Sequence, residues 1–404
     1  MTHVKEAEAH VAVIGLGYVG LPTALMFADA GLSTVGVDVN EAIVAQLSAG
    51  QCSINEHDVV ELFGQAKTRQ NFRAATRPPV AEAYILAVPT PLDKRRKMAD
   101  LSMLISATES ILPVLKAGAL VIVESTVPPL TCREIVEPVL ARSGLQIGRD
   151  VLVAHCPERL FPGNSIFEII NNARIIGGAN EEANRRTLEL YRHFVKGPCH
   201  LTDDVTAEFC KLAENAYRDV NIALASEMAT VADQLGISIT EAIRLANQHP
   251  RVEILKPGIG VGGHCIPIDP WFLAEVAPGD STLIATARKV NDHRPVAIAG
   301  KIRQAVAAVA EPRIGCYGVT YKANVNDVRS SPARIIIDLL RQDGYQVDVY
   351  DPVAHVGEAG SLFDFARGKD ALAVLVEHEE IARIMENEPD KLLKCLNHPI
   401  LLRF

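Results

Sequence analysis

Four glycines lead up to one cysteine in Gly258-Ile259-Gly260-Val261-Gly262-Gly263-His264-Cys265-Ile266-Pro267-Ile268-Asp269-Pro270, and an aspartate follows four residues later. Glycines at that density let a backbone bend tightly and let a bulky ligand lie against it. A thiol just past such a loop can meet that ligand as a nucleophile, and Asp269 can move protons beside it. The competing reading is a buried structural cysteine next to a turn, since cysteine is among the most buried residue types. Partners for the nucleophilic reading stand elsewhere in the chain: Glu158, Lys211 and Asn215.

A second chemistry opens the sequence. His10–Ile14 is an apolar run of strand length, followed by Gly15-Leu16-Gly17-Tyr18-Val19-Gly20, a helical stretch Leu21–Ala30 closed by Gly31, and a strand Ser33–Val37 ending at Asp38. This strand, glycine turn, helix, strand and acid in series is the dinucleotide-binding unit. Gly15 makes the tight turn, Gly17 lets a pyrophosphate approach the backbone, and Gly20 lets helix pack on strand. The helix start offers free N–H groups to phosphates. Asp38 can accept from both adenine-ribose hydroxyls and repels a 2′-phosphate, and Val39-Asn40 bring no arginine, so NAD is favoured over NADP.

The strands that follow, Ala83–Val88, Leu120–Val123 and Val151–Ala154, each break into a proline-bearing polar loop. Ligands of open parallel sheets bind beyond the carboxyl ends of strands, so Thr90, Thr126 and Glu158 are expected to rim one cleft, with loop capping as the alternative for each. Asn171–Gly177 reads as a further strand, Glu181–Phe194 as a helix, and Cys199-His200-Leu201 as a last short strand. Nothing near that Cys-His pair offers further ligand chemistry, and no Cys-x-x-Cys occurs among eight scattered cysteines, so no metal is expected.

Thr202-Asp203-Asp204 suits a helix start, and neither proline nor glycine interrupts before Gly236. The spacing predicts one helix of about nine turns, largely buried by Phe209, Leu212, Ala216, Val220, Ala223, Leu224, Met228, Val231 and Leu235. Lys211 and Asn215 fall one turn apart on it. A lysine amid apolar neighbours needs an anion or a developing negative charge, unless it snorkels to water. A helix Thr240–Asn247, the run Gln248-His249-Pro250-Arg251, and helical stretches Leu283–Asp292 and Pro295–Val309 surround the cysteine loop. Near the end, Arg313–Val319 is again strand and glycine turn, Pro332–Gln342 helix, and Gln346–Tyr350 a strand ending in Asp351. The glycine pattern is incomplete, which argues against a second NAD site. The intervening loop Thr320–Ser331 carries Lys322 and Arg329, which suit the phosphates of a nucleotide diphosphate. Ala371–Val376 and Ile400–Arg403 complete a smaller sheet.

The expected architecture is α/β: two Rossmann-like, doubly wound parallel-sheet domains joined by a central helical domain with one long helix. The boundaries read as 1–201 for NAD binding, 202–302 for the helical part with the cysteine loop, and 303–404 for the smaller domain. With 404 residues, 48% of them apolar, the chain can fill such cores. A net charge of −9, with no basic block beyond Lys94-Arg95-Arg96-Lys97, argues against nucleic acid. Met1–His10 is polar and short, unlike a secretory signal, and no apolar run has the length of a membrane span, so a cytoplasmic protein with no membrane partner is expected.

An NAD fold and a glycine-flanked cysteine together suit an enzyme that takes an alcohol to an acid. The thiol traps an intermediate aldehyde as a thiohemiacetal, a second hydride leaves, and water cleaves the thioester. Such a reaction uses a cation on the oxyanion, carboxylates to move protons, and an amide to orient oxygen.

The motifs Gly15–Pro22, Glu124-Ser125-Thr126, Pro157-Glu158-Arg159, Lys211 with Asn215, Gly262-Gly263-His264-Cys265 with Asp269, and Lys322–Ser331 resemble the UDP-glucose/GDP-mannose dehydrogenase family over essentially the whole length. The resemblance implies Cys265 as nucleophile, Lys211 and Asn215 on the oxyanion, Asp269 and Thr126 around the water, and Glu158 in thioester hydrolysis. It implies NAD contacts from Gly15, Leu16, Gly17, Tyr18, Val19, Gly20, Asp38, Thr90, Thr126 and Arg329. Glu158, Arg159, Leu160, Lys211, Asn215, Lys256, Gly262, Tyr321 and Lys322 would contact the UDP-sugar. Arg251 would reach a partner subunit's substrate site, in a homodimer formed through the long helix. Cys156-Pro157-Glu158-Arg159 with Pro162-Gly163-Asn164, and Asn247–Val252, resemble the bacterial branch that oxidises C6 of UDP-N-acetyl-D-mannosamine. UDP-N-acetyl-D-glucosamine or another UDP-hexose is the alternative.

Overall fold

The computed structural model describes residues 9–68, 70–160 and 163–404. Pro162 and the first eight residues of the polar N-terminus lie outside the described residues. Contacts within the chain gather into two units, Met1–Glu214 with Trp271–Ala277, and Asn215–Pro270 with Pro278–Phe404.

The first unit is built on an eight-stranded sheet. Its strands are β1 (Ala9–Ile14), β2 (Thr34–Val37), β3 (Phe72–Ala75), β4 (Ala81–Leu86), then β7 (Ala119–Val123), β8 (Val151–His155), β9 (Arg174–Gly178) and β10 (Cys199–Asp203). A small hairpin of β5 (Leu92–Asp93) and β6 (Met98–Ala99), not foreseen from sequence, stands apart from it. The sheet order is β10-β9-β8-β7-β4-β1-β2-β3. Strands buried on both faces read as continuous apolar runs. Val11 and Val13 enter one core with Leu21, Leu25 and Phe27 of the helix Gly20–Asp29, while Ala12 and Ile14 enter the other with Leu104, Val121 and Val153. That alternation is the two-residue period of a strand. The chain leaves β3 at one edge and re-enters at β4 on the far side of β1, so the strand order reverses at β1, where such sheets open a crevice for ligands.

One departure from the expected all-parallel sheet matters later. β9 runs antiparallel to β8, with His155 opposite Gly177 and Ala154 opposite Gly178, and β10 pairs in parallel with β9. The stretch read as one strand from Asn171 is in fact the end of a helix, Ser165–Asn171, followed by β9.

In the second unit, β11 (Arg313–Tyr317), β12 (Gln346–Tyr350), β13 (Ala371–Val374) and β14 (Ile400–Arg403) form a parallel sheet in the order β12-β11-β13-β14. The helical run expected from Leu283 through Pro295 to Val309 is one helix, Thr282–Val306, with Pro295 inside it. The long helix runs Asp204–Leu235, and Thr202 and Asp203 belong to β10 rather than to it. Leu212, Ala216 and Ala223 are buried as expected, but Phe209, Leu224, Met228, Val231 and Leu235 are exposed. Periodicity finds an apolar face without saying what covers it. Among the described residues no helix is long and apolar enough to cross a membrane.

Candidate active site

The glycine turn of the first unit has the geometry its motif demands. Gly15 sits at φ +97°, and a Cβ there would stand 2.5 Å from the Ala87 carbonyl oxygen. A Cβ on Gly20 would lie 1.9 Å from the Gly15 carbonyl oxygen, so helix and turn touch only because Gly20 lacks a side chain. At Gly17 the same Cβ would meet nothing within 4 Å, which leaves the backbone open to a pyrophosphate. Asp38 accepts the Leu16 N–H at 2.9 Å through Oδ2 and the Asn40 N–H at 2.8 Å through Oδ1, which fixes the carboxylate at the end of β2. Tyr18 is half exposed beside the turn, and Leu16 is buried beneath it. These residues fit a dinucleotide.

Two neighbouring strand ends extend the crevice. Thr90, after β4, donates its hydroxyl to the Thr126 carbonyl at 2.6 Å, after β7. The two loops expected to share a rim are therefore tied together. Glu158, after β8, is 8% exposed and accepts the Arg159 N–H at 2.6 Å. Arg159 itself is held by Glu214 and by the Ala173 carbonyl at 2.9 Å, and Leu160 packs on the core. Lys211 is half-buried rather than enclosed. Its charge acts on His155, whose imidazole is pushed down to about 3, first by burial and then by Lys211. The lysine thus faces a neutral ring.

The cysteine loop belongs to the second unit. Cys265 is exposed, while Asp269 is 3% exposed and opens the short helix Asp269–Ala274. The Asp269 N–H donates to the Cys265 carbonyl at 2.8 Å, and Asn215 Nδ2 donates to Asp269 Oδ2 at 2.6 Å. Amide and carboxylate, fifty-four positions apart in sequence, are thereby joined side chain to side chain, and the Cys265 backbone is tied to the same aspartate. The glycines before the cysteine also have a purpose within the fold. A Cβ on Gly262 would stand 2.8 Å from both the Ser330 carbonyl oxygen and Pro332 Cδ, and one on Gly263 would stand 3.0 Å from the Tyr321 ring. It is the chain's own loop, Tyr321–Pro332, that lies against them. Tyr321 is thereby brought to the thiol: burial first, then the charges of Asp327 and Cys265, push its phenol up. Arg329 forms a two-pronged pair with Asp327, at 2.9 and 2.7 Å, and Lys322 is exposed. Arg251 and Lys256 are exposed on the segment leading to the loop.

The second glycine turn differs from the first where a ribose would bind. Asp351 is fully buried, accepts N–H bonds from Val319, Thr320, Val353 and Ala354, and faces His378 Nε2 at 3.1 Å. Its carboxylate is consumed internally, which fits the absence of a second dinucleotide motif.

Three features escaped the sequence reading. Cys132, His155 and Glu208 bring ligand-type atoms within 4.8 Å of one another. Both Glu208 oxygens, however, accept N–H bonds, from Leu130 at 2.6 Å and Cys132 at 2.8 Å. Glu208 is a buried cap on the turn leading into Cys132–Val136, pushed up to about 7 by burial against those bonds. Glu124, quoted within a motif but given no task, is 1% exposed, and Arg174 is 4% exposed. An arginine opening the apolar run Arg174-Ile175-Ile176 was the available signal, since a buried charge needs a partner.

The chain belongs to the UDP-glucose/GDP-mannose dehydrogenase family. The family's NAD binding domain matches residues 9–195, its central domain 205–293 and its UDP binding domain 315–402. The UDP-N-acetyl-D-mannosamine dehydrogenase of Methanococcus maripaludis is 41% identical over 398 residues, covering 97% of this chain and 91% of that one. The NDP-N-acetyl-D-galactosaminuronic acid dehydrogenase of Ralstonia nicotianae is 41% identical over 390 residues, covering 93% and 92%. The solved structure of the UDP-D-ManNAc dehydrogenase of Pyrococcus horikoshii superposes with a TM-score of 0.90 at 38% identity, covering 97% of this chain and 94% of that one. The chain is accordingly an NAD-dependent nucleotide-sugar dehydrogenase with the family's architecture of two α/β domains and a central helical part.

Proposed function

We propose that this member of the UDP-glucose/GDP-mannose dehydrogenase family oxidises the C6 alcohol of UDP-N-acetyl-D-mannosamine to the carboxylate, in two two-electron steps. NAD, held at Gly15–Gly20, Asp38, Thr90 and Thr126, supplies the hydride acceptor for each step. In this reading the Cys265 thiolate adds to the C6 aldehyde and forms a thiohemiacetal, which becomes a thioester when the second hydride leaves. Lys211 and Asn215 hold the oxyanion, which pre-aimed donors stabilise most. Asp269 and Thr126 orient water, and Glu158 takes the proton as that water attacks the thioester. Glu158, Arg159, Leu160, Lys256, Gly262, Tyr321 and Lys322 take the UDP-sugar, and Arg329 reaches the cofactor.

The observation that carries the reading is the Asn215–Asp269–Cys265 constellation beside Tyr321. A two-electron alcohol dehydrogenase has no use for a thiol so placed. The choice of sugar is supported by the relatives named for UDP-N-acetyl-D-mannosamine. The Ralstonia relative favours a second reading, another N-acetylhexosamine nucleotide. A panel of UDP-hexosamines, read by NADH formed per sugar consumed, tests both. Two NADH per UDP-N-acetyl-D-mannosamine is expected, and a ratio of one would eliminate the thioester route.

The protein in this reading is a cytoplasmic homodimer. Tyr217, Leu224, Met228, Val231 and Leu235 are exposed along the long helix at spacings of seven, four, three and four. That is the heptad seam two like helices bury against each other. Arg251 then serves the partner subunit's substrate site. Light scattering on Leu224→Asp, expected to give a monomer, checks the seam; an unchanged mass would move the interface elsewhere.

A further inference from the structure

The buried charges of the first unit converge on one guanidinium. Arg174 opens β9, and its side chain is 5% exposed. Its Nη2 donates to Glu158 Oε2 at 3.3 Å, and its Nη1 lies 3.5 Å from Glu124 Oε1. The guanidinium carbon stands 4.5 Å over the Tyr191 ring, and Nη1 is 3.7 Å from Cys156 Sγ. Glu124 ends β7's run and is held from behind by the Tyr191 hydroxyl and by Thr23 Oγ1 at 3.2 Å. The antiparallel turn of β9 makes this possible. With His155 opposite Gly177, the strand begins beyond the carboxyl end of β8, where Glu158 lies. A parallel β9 would start at the other edge of the sheet.

We propose that Arg174 and Glu124 are positioning residues for Glu158: Arg174 holds its carboxylate in place, and Glu124, competing for the same guanidinium, sets how readily Glu158 takes and returns a proton during thioester hydrolysis. The inference rests on the reading of Glu158 as the hydrolytic acid–base.

The charge count supports it. Two carboxylates on one guanidinium carry a net negative charge when both are ionised, and a low-dielectric interior penalises that state. Among the described residues, the other side chains that touch the cluster add no cation. Thr23 and the Tyr191 phenol are neutral, Arg159 is turned to Glu214, and Cys156 is kept a thiol, pushed up to about 12 by burial. One proton therefore belongs to the pair. Burial first, and then the charge of Glu158, push the Glu124 carboxyl up. While Glu124 is protonated, Arg174 is committed to Glu158. Once Glu124 ionises, the guanidinium is divided and Glu158 becomes the stronger base.

Glu124→Gln keeps size and acceptor while removing the competing charge. It is expected to leave the KM for UDP-sugar and for NAD within about twofold, and to move the kcat inflection of the hydrolytic step toward acid by about one pH unit. Thioester on Cys265, trapped by acid quench and weighed by mass spectrometry, should accumulate on the basic side. Arg174→Gln should move the inflection the opposite way, and Arg174→Lys should restore part of it. A folded Glu124→Gln enzyme with the parental pH profile overturns the inference. If that variant does not fold, Tyr191→Phe decides. It removes a donor from the Glu124 carboxylate, so the inflection must move, and an unmoved profile counts against the proposal. Glu158→Gln separates the two claims. If it hydrolyses the thioester at the parental rate, the role of Glu158 fails; if it stalls while Glu124→Gln is unchanged, only the relay fails.

Discussion

Substituting alanine at two glycines of one motif should have opposite effects on the apo chain. At Gly17 a Cβ meets nothing within 4 Å, and the backbone is outside the left-handed region. Alanine there restricts the unfolded chain without disturbing the folded one, which stabilises by about 0.4–1 kcal/mol. At Gly20 the added carbon would stand 1.9 Å from the Gly15 carbonyl oxygen, 3.0 Å from the carbonyl carbon and 3.2 Å from Ala87 Cβ. The first two are backbone atoms, so the turn or the helix Gly20–Asp29 must shift, at a cost of about 1–3 kcal/mol or more. For a unit of this size each kcal/mol moves the melting temperature by roughly 2–4 °C. Gly17→Ala should melt at or slightly above the parent and Gly20→Ala several degrees below. NAD should report the reverse of harmlessness at Gly17. The methyl stands where the pyrophosphate approaches, and a loss of about 1–3 kcal/mol weakens binding roughly 5- to 150-fold. Calorimetric titration with NAD and a thermal melt of the apo chain together suffice. A Gly17→Ala chain that binds NAD like the parent, or melts well below it, refutes the assignment of that opening to the cofactor.

Two further substitutions probe the buried carboxylates. Glu208, raised to about 7, binds its proton more tightly folded than unfolded, so its contribution to stability is full below the ordinary carboxyl range and is lost as pH rises toward 7. Glu208→Gln should abolish that slope, worth up to about 3 kcal/mol, and denaturant melts of parent and variant from pH 5 to 8 should diverge; parallel curves would count against it. Asp351 behaves oppositely. Burial pushes it up, but His378 and the N–H donors outweigh that and hold it down, so its contribution is present above the ordinary aspartate range and is lost on acidification. Asp351→Asn turns an amide toward the Val319 and Thr320 N–H groups and should destabilise by about 1–3 kcal/mol near neutrality, with the two chains converging in acid; equal stability at pH 7 would refute it.

What could be read from the sequence was whatever the backbone demands locally. Gly15, Gly17 and Gly20 each answer a requirement set within a few residues, and the long helix announces itself by lacking any breaker between Asp204 and Leu235. Asn215 and Asp269 are grouped by chemistry rather than by local pattern, and the structure joins their side chains by a hydrogen bond. Properties that depend on distant packing were misread. The apolar face at Leu224, Val231 and Leu235 was taken as buried, because a periodic stripe looks the same whether its cover is this chain or another. Likewise no local pattern says that Tyr321 and Ser330 will lie against the glycines at 262 and 263.

The reversal of β9 belongs with these, and it bears most directly on mechanism. Nothing in Arg174-Ile175-Ile176-Gly177-Gly178 says which way the strand will run. A parallel and an antiparallel strand of this length bury the same side chains, so the hydrophobic pattern is indifferent between them. The difference lies wholly in where the first residue emerges. Antiparallel pairing delivers a buried guanidinium to the loop that carries Glu158, and Glu124 meets it from β7. An arginine at that depth without a carboxylate would carry an uncompensated charge, and so would an ionised carboxylate there without the arginine. The antiparallel pairing of β9 with β8 is therefore tied to these buried carboxylates by electrostatics: the strand that breaks the parallel rule is the one whose leading residue, Arg174, pairs with Glu158.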